Sequence, residues 1–408
     1  MNILYICPRF PYPPNQGDKV VIYNHLKFLS KNNKITLLTL IKDERELNGI
    51  PNLSQYCVSI ETFKKRPNFS IWDFIMAIFK TDPFTVIRYY SPEMLARSKA
   101  LIESAKFDII HVSQYYMGQY VLNKNIAIPK TTATIFDTHH IQYLIYLKFA
   151  GVVKNPILKL FAFLEALRIK DCELPMYKKF DRCLAVSESD KEVMERLSGA
   201  SNISVSPFCM ELCSVDAVPQ QNESEEENTI IFFGTFASLP NIDGLLFFYK
   251  SIFPLIKKEI PTVKFIIAGD NPPRLAQLAN DPNVKLAGVV SNIRDYLNKI
   301  AVVVVPLRVI GGGLTIKILE SWAAGKAVVA TSAAIGGIQI TNGSDIVVAD
   351  CAGDFANEVV KLLKDKSKRR ALGKAAIEKV REYYNPSRVI ENLEKIYRDA
   401  RQEKIQNG

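Results

Sequence analysis

Between Arg308 and Glu320 the chain places two cations, three consecutive glycines and a carboxylate. Arg308 precedes Gly311, Gly312 and Gly313; Lys317 follows them, and Glu320 stands three residues further on. The apolar run from Ile300 to Val305 reads as a buried strand. Leu314 to Ala324 has helical spacing, with Ile316, Leu319 and Ala323 on one side. Glycines let the backbone turn sharply and approach a ligand closely. A helix that starts there turns free N–H groups and its positive dipole end toward the loop. Such a place suits phosphate, with Arg308 and Lys317 as counter-charges. Lys317 and Glu320 project from roughly the same helix face, and a carboxylate can hold paired sugar hydroxyls. Phosphate grip and hydroxyl grip side by side point to a nucleotide-sugar site. Charge develops on a departing diphosphate, so fixed cations there lower the barrier. The plainer alternative is a solvated Arg308, a surface Lys317 and a capping Glu320.

Further candidates lie in the first half. Gly17 and Lys19 follow the Pro-rich Pro11 to Pro14; they can approach a donor phosphate or simply form a turn. His139 and His140 are two of only four histidines, with Asp137 just before them. Asp137 can orient His139 or cap the next helix. No Asp-x-Asp pair occurs in the chain, the device that holds Mg²⁺ or Mn²⁺ against a diphosphate. With two cations at the loop, transfer without a metal is expected. No GxGxxG follows a strand, which sets a dehydrogenase aside.

These residues need a scaffold of strand ends. Asn2–Cys7 and Ile35–Leu40 are strand-like, with a helical Asp18–Leu29 between them. Short buried strands follow at Phe107–Val112 and Thr134–Phe136, then one long helical stretch from Ile141 to about Tyr177. Arg182–Val186 reads as a strand and Glu188–Leu197 as a helix. After a polar, acidic stretch the alternation resumes with Ile230–Phe233, Leu245–Leu255, Val263–Ala268, Val284–Leu286, Ile293–Lys299 and Ala301–Val305. Such alternation implies α/β architecture with parallel sheets covered on both faces. The expected units are two Rossmann-like doubly wound domains, 1–210 and 229–385, facing a central cleft. A linker 211–228 joins them, and 386–408 forms a terminal helix. Ligands then lie at the carboxyl ends of the strands, where 308–317 falls.

At 408 residues and 48% apolar composition, two cores are affordable. No run of 18 apolar residues appears, so no transmembrane helix is expected. Met1 to Cys7 lacks the charged leader of a signal peptide, and seven cysteines without a CxxC pair suit a reducing cytoplasm. The net charge of +10 is uneven: residues 1–208 hold 27 Lys and Arg against 19 Asp and Glu. A basic first half favours an anionic partner or is ordinary solubility charge. Phe63 to Lys80 is basic, then aromatic and apolar. It can lie on an anionic membrane or pack as an amphipathic helix.

The chain resembles the GT-B glycosyltransferases, and within them the large retaining family four, group 1, in its bacterial exopolysaccharide-associated branch. Nearly the whole chain carries the likeness. Its elements are Pro11 to Lys19; Asp137-Thr-His139-His140; Ser187 to Asp190; Phe233-Gly234 with Pro240-Asn241-x-Asp243; Gly288-x-Val-x-Asn-x-Arg-Asp-Tyr-Leu; and the segment 306–331. The resemblance implies that the first domain binds the acceptor and the second most of the donor, with the last helix crossing back to the first domain. It assigns catalysis to Arg308, Lys317 and His139. It assigns donor contacts to Gly17, Lys19, Gly234, Arg308, Gly311, Gly312, Gly313, Leu314, Thr315, Lys317 and Glu320, and acceptor contacts to Asp137 and His140. It departs from the family at Gly312, where a first glutamate is common, so backbone N–H groups of the glycines would take over. A second departure is Ser206 to Glu211, where the family often has Pro-Asn-Gly-Val-Asp.

The expected function is retaining, metal-independent transfer of a hexose or related sugar from a nucleoside-diphosphate donor, UDP or GDP, to an acceptor hydroxyl. No other cofactor is required. The acceptor is a saccharide, a lipid-linked or a small molecule; nucleic acid is not expected. The site is cytoplasmic or peripheral at the inner membrane face. Alternatives are a nucleotide-sugar 2-epimerase of the same fold, which needs more acid and base groups than the sequence offers, and a non-catalytic sugar-nucleotide-binding partner.

Overall fold

The computed structural model describes residues 1–66, 81–104, 106–153, 155–211, 225–236, 238–270, 273–290, 292–309 and 313–407. Gly311 and Gly312, most of the Phe63 to Lys80 segment and most of the 211–228 linker lie outside the described residues.

The first domain carries strands β1 (Asn2–Cys7), β2 (Lys34–Ile41), β3 (Ser59–Lys64), β4 (Ile109–Ser113), β5 (Ala133–Asp137), β6 (Arg182–Ala185) and β7 (Ile203–Val205). The second carries β8 (Thr229–Phe233), β9 (Lys264–Ala268), β10 (Val284–Gly288), β11 (Val302–Val305), β12 (Ala327–Ala330) and β13 (Val347–Val348). The sheets run β3-β2-β1-β4-β5-β6-β7 and β10-β9-β8-β11-β12-β13. Neighbouring strands are parallel, with Ile3 opposite both Ile35 and Ile109, and Ile230 opposite both Phe265 and Val302. Helices on both faces require strands apolar throughout: all four residues of β11 are buried. Strand order reverses between β1 and β4 and between β8 and β11, which opens a crevice at each set of carboxyl ends. The chain therefore has the GT-B architecture of two Rossmann-like sheets.

The long helix expected from Ile141 to Tyr177 is two helices, Gln142–Val152 and Pro156–Lys179. Pro156 has no N–H to continue the first helix and drives the residue before it to extended backbone. The Asn155 side chain then accepts from the N–H groups of Ile157 and Leu158 and starts the second helix. β3, β7, β12 and β13 complete the sheets beyond the strands expected from sequence. β3, β7 and β13 lie at or near the sheet edges and are only partly buried, so their hydrophobic signal is weak; β12 is four buried residues inside the second sheet.

The last helix, Pro386–Asn407, docks on the first domain. Val389, Ile390, Leu393, Ile396, Tyr397 and Ala400 enter that domain's core at helical spacing. Tyr397 Oη lies 2.6 Å from His111 Nδ1, and Asn33 Nδ2 donates to Glu394 at 2.7 Å. Among the described residues no helix is long and apolar enough to cross a membrane.

Candidate functional site

The facing carboxyl ends enclose a cleft of about 420 Å³, a size that suits a small-molecule site. The ends of β8 and β9 supply Gly234, Thr235, Gly269 and Asp270; the stretch after β10 supplies Val290 and Arg294; the 316–323 helix supplies Glu320. Asn15, Gln16 and Tyr23 close it from the first domain, and Met210 and Glu211 from the crossing between domains.

Lys317 and Glu320 stand one turn apart on the helix Ile316–Ala323, both half-buried. The Lys317 ammonium donates to Asn241 Oδ1 at 2.6 Å and lies 4.7 Å from the centroid of the Phe232 ring. Asn241 is itself fixed, its Nδ2 donating to the Thr235 carbonyl at 2.9 Å. Gly234 has φ +145°, and a Cβ on it would stand 3.3 Å from the Lys317 ammonium. Its missing side chain is what lets the cation lie against the strand end. Burial lowers Lys317 to about 7, against the pull of Glu320. Burial raises Glu320 to about 7, against Arg294 and Lys317. An arriving diphosphate would return charge to the lysine. Groups shifted this way beside a cleft mark a candidate functional site.

The end of the glycine loop is clamped to the first domain. Gly313 has φ +81°, and a Cβ there would stand 2.4 Å from the His139 carbonyl oxygen. Its N–H donates to Asp190 Oδ1 at 3.3 Å. Asp190 opens the Glu188–Ser198 helix, which Ser187 caps by accepting from the Asp190 N–H. Gly337 packs onto the same cap: a Cβ on it would stand 2.2 Å from Ser187 Oγ. Leu314 is buried, and Thr315 donates its hydroxyl to the Ala334 carbonyl at 2.6 Å. Both therefore shape the loop from within. Gly17 touches the second domain too, with room for a Cβ 3.4 Å from Ile316 Cγ1.

Other expected site residues are engaged elsewhere. Lys19, expected at the donor, is buried and donates to Glu46 at 3.0 Å. Inside a domain the carboxylate offsets the cost of burying the ammonium, so Lys19 braces the first loop instead of facing the cleft. Arg308 makes a two-pronged pair with Asp243, at 3.0 and 2.5 Å, and lies over the Phe247 ring. It lines a neighbouring groove with Lys148, Ser189 and Asp190, not the cleft that holds Glu320.

Asp137, expected to contact the acceptor, is 2% exposed. Its Oδ2 lies 3.3 Å from His111 Nε2, 3.5 Å from His139 Nε2 and 3.9 Å from His25 Nδ1. Burial would raise this carboxyl, but His139 and His111 hold it well below the usual range. Asp137 thus acts on imidazoles, not on an acceptor. His139 is buried between it and Phe208, with Ser113 Oγ 3.4 Å from its Nε2. His140 Nε2 lies 2.7 Å from Gln142 Oε1, and burial lowers its ring to about 4. His25, His111 and Asp137 offer ligand atoms within 4.8 Å of one another. All three are buried in the first domain's core.

Sequence reasoning gave no role to Asn241, Arg294 or Asp190. Arg294 lines the cleft and donates to the Glu211 carbonyl at 2.5 Å. Each belongs to a short segment already tied to strand ends, so position after a strand was the available signal.

Residues 227–365 match the family described as glycosyl transferases group 1. An uncharacterized 44.6 kDa protein in the cps region of Klebsiella pneumoniae is 20% identical over 96% of this chain and 98% of its own length. Among solved structures, sucrose-phosphate synthase from Thermosynechococcus elongatus superposes with a TM-score of 0.71 at 18% identity, covering 98% of both chains. The Anabaena protein HepE in complex with UDP and glucose superposes at 0.66 and 14% identity, over 97% of this chain and 98% of that one. TarM superposes at 0.69 and 12% identity, over 97% of this chain and 98% of that one. These likenesses establish the GT-B fold and, with the family match, support a transferase.

Proposed function

We propose that this chain, a GT-B fold protein whose second domain matches the group 1 glycosyl transferases, is a retaining glycosyltransferase. It moves a hexose from a nucleoside diphosphate to an acceptor hydroxyl. The observation that carries this reading is the Lys317 ammonium, held by Asn241 against Gly234, which lines the same cleft as Glu320. Lys317 stabilises the departing diphosphate, and Glu320 accepts from the ribose hydroxyls. His139, oriented by Asp137, contacts the donor sugar. In this reading the backbone N–H groups of Gly311 and Gly312 meet the phosphates, while Gly313 gives its own to Asp190.

Retention proceeds by front-face transfer. The acceptor attacks on the side from which the diphosphate leaves, and the diphosphate oxygen takes the acceptor proton. No protein general base and no metal ion are needed. Arg308 joins the phosphates when it releases Asp243. The HepE structure in complex with UDP and glucose supports a UDP-sugar, and the relative from a cps region supports polysaccharide biosynthesis; the reaction is proposed to take place at the cytoplasmic side of the membrane. Peripheral membrane contact belongs to the same reading. Leu147, Val152, Ile157, Leu160 and Phe163 are all at least 42% exposed on the two helices after β5, an apolar face that suits an interface.

Thermal stabilisation by UDP, GDP, ADP and their sugar conjugates, without added metal, tests the donor assignment. A ligand that binds the folded state raises the melting temperature by mass action. A shift with UDP and UDP-sugars, lost in Lys317→Ala, is expected. A shift with none of them would overturn the assignment.

A further inference from the structure

At the carboxyl end of the first sheet, beside the donor cleft, Arg9 and Lys65 meet at one tyrosine, and Arg88 acts on Lys65. Arg9 follows β1, Lys65 follows β3, and Arg88 ends the short helix Phe84–Arg88 next to Tyr89. The Lys65 ammonium lies 3.5 Å from the centroid of the Tyr89 ring. Tyr89 hydrogen-bonds both Lys65 and Arg9, and the Tyr116 ring packs against it at 4.4 Å. Arg9 Nη1 donates to Gln16 Oε1 at 2.9 Å, and Gln16 is itself a wall of the donor cleft. The cluster therefore reaches the cleft through Gln16.

Its charges do not balance. Asp18 approaches Arg9 at 3.4 Å. Among the described residues no carboxylate pairs with Lys65 within 4.0 Å, and Arg88 and Arg9 act on it. Burial lowers Lys65, and the two arginines add to that, outweighing the favourable Tyr89. Burial would raise the Tyr89 phenol, yet Arg9 and Lys65 bring it below its ordinary value. Cations held this close repel one another, and the arrangement suits a compact anion with several oxygens.

We propose that Arg9, Lys65 and Arg88 hold a phosphate of the acceptor, so that the substrate receiving the sugar is a phosphorylated one. This rests on the transferase reading, since it takes the cleft beyond Gln16 as the donor site. A soluble sugar phosphate and a lipid-borne phosphate share the chemistry.

The full chain, saturated with UDP so that the donor site is occupied, is titrated calorimetrically with inorganic pyrophosphate. Wild type is expected to bind. Lys65→Gln and Arg88→Gln are each expected to weaken that binding about tenfold or more, the loss of one charge-assisted hydrogen bond, with far-UV circular dichroism unchanged. If Lys65→Gln does not fold, Arg88→Gln decides. No pyrophosphate binding, or equal binding in the folded variants, overturns the proposal. Failure of UDP to bind would instead count against the donor reading, and the dependence of pyrophosphate binding on Lys65 would still decide this one. Two further probes separate the sources. Binding to phosphatidic acid in phosphatidylcholine vesicles that depends on Lys65 assigns a lipid-borne phosphate. Binding to glycerol 3-phosphate that depends on Lys65 assigns a soluble one. Lys65-independent behaviour with both probes overturns the proposal.

Discussion

The Lys317 ammonium sits 2.6 Å from the side-chain oxygen of Asn241, a residue 76 positions earlier. The two meet because the helix after β8 and the helix after the glycine loop both start at the carboxyl edge of the second sheet. Asn241 offers a neutral acceptor, so the lysine is positioned without being neutralised by a carboxylate in contact. Burial then leaves its charge easy to lose, down to about 7. A cation oriented in advance but not spent on a partner is what a developing diphosphate charge requires.

Lys317→Ala should lower kcat by about 10²–10³ with the fold intact, the scale seen when one stabilising donor is removed from a transition state. Asn241→Ala should cost less, about tenfold, since it removes aim and not charge. Steady-state kinetics beside far-UV circular dichroism check both. Unchanged turnover in Lys317→Ala would remove the phosphate role.

Donor binding should move protons in opposite directions on either side of neutrality. Lys317, lowered to about 7, is largely neutral at pH 8.5; the anionic donor favours its charged form, so UDP binding takes up a proton there and weakens as pH rises. Glu320, raised to about 7, is largely protonated at pH 6; accepting from both ribose hydroxyls favours its ionised form, so binding releases a proton there. Calorimetry in buffers of different ionisation enthalpy reads both. Lys317→Ala should abolish the uptake and Glu320→Gln the release. Identical proton traffic in wild type and both variants would sink the assignment.

The alternation of apolar runs and helical spacing located most strands within one or two residues, because buried parallel strands advertise themselves. The segment from Arg308 to Glu320 was legible as a ligand site because its glycines and charges follow a strand. Partnerships across the chain were not. A cation reads the same whether it faces a ligand or a carboxylate: Lys19 meets Glu46 27 positions on, and Arg308 meets Asp243 65 positions back. Asp137 looked like a contact residue for the same reason. Its imidazole neighbours His25 and His111 come from the first helix and β4, and only the sheet brings them together. The break at Pro156 was readable from proline chemistry alone.

Gly313→Ala and Gly343→Ala form a matched pair. Both glycines have φ +81°, so alanine is strained at each. At Gly343 the new methyl meets nothing within 4 Å, whereas at Gly313 it would stand 2.4 Å from the His139 carbonyl oxygen. Gly343→Ala should cost about 1 kcal/mol from backbone alone. Gly313→Ala should cost clearly more, with turnover falling as the loop shifts off Asp190. Thermal melts and kinetics of the two variants check this; equal effects would mean that the contact between domains carries no weight.

Activity should survive EDTA. The diphosphate has Lys317 beside the strand end and, once released, Arg308, so charge stabilisation comes from side chains. Complete loss of turnover in EDTA, restored by Mn²⁺, would defeat the expectation.

Arg308 can serve the donor only by leaving Asp243. Their pair is two-pronged, but both side chains are well exposed, 51% and 40%. Such pairs contribute only about 0–1 kcal/mol, so exchange of the carboxylate for a phosphate is cheap. Asp243→Asn removes the competitor for Arg308 and should leave the melting temperature nearly unchanged while tightening UDP binding. Arg308→Ala should weaken it and lower kcat. If both variants instead lose stability and activity alike, the pair is a brace between β11's exit and the helix Leu239–Phe247, and the phosphate is left to Lys317 and the glycine loop.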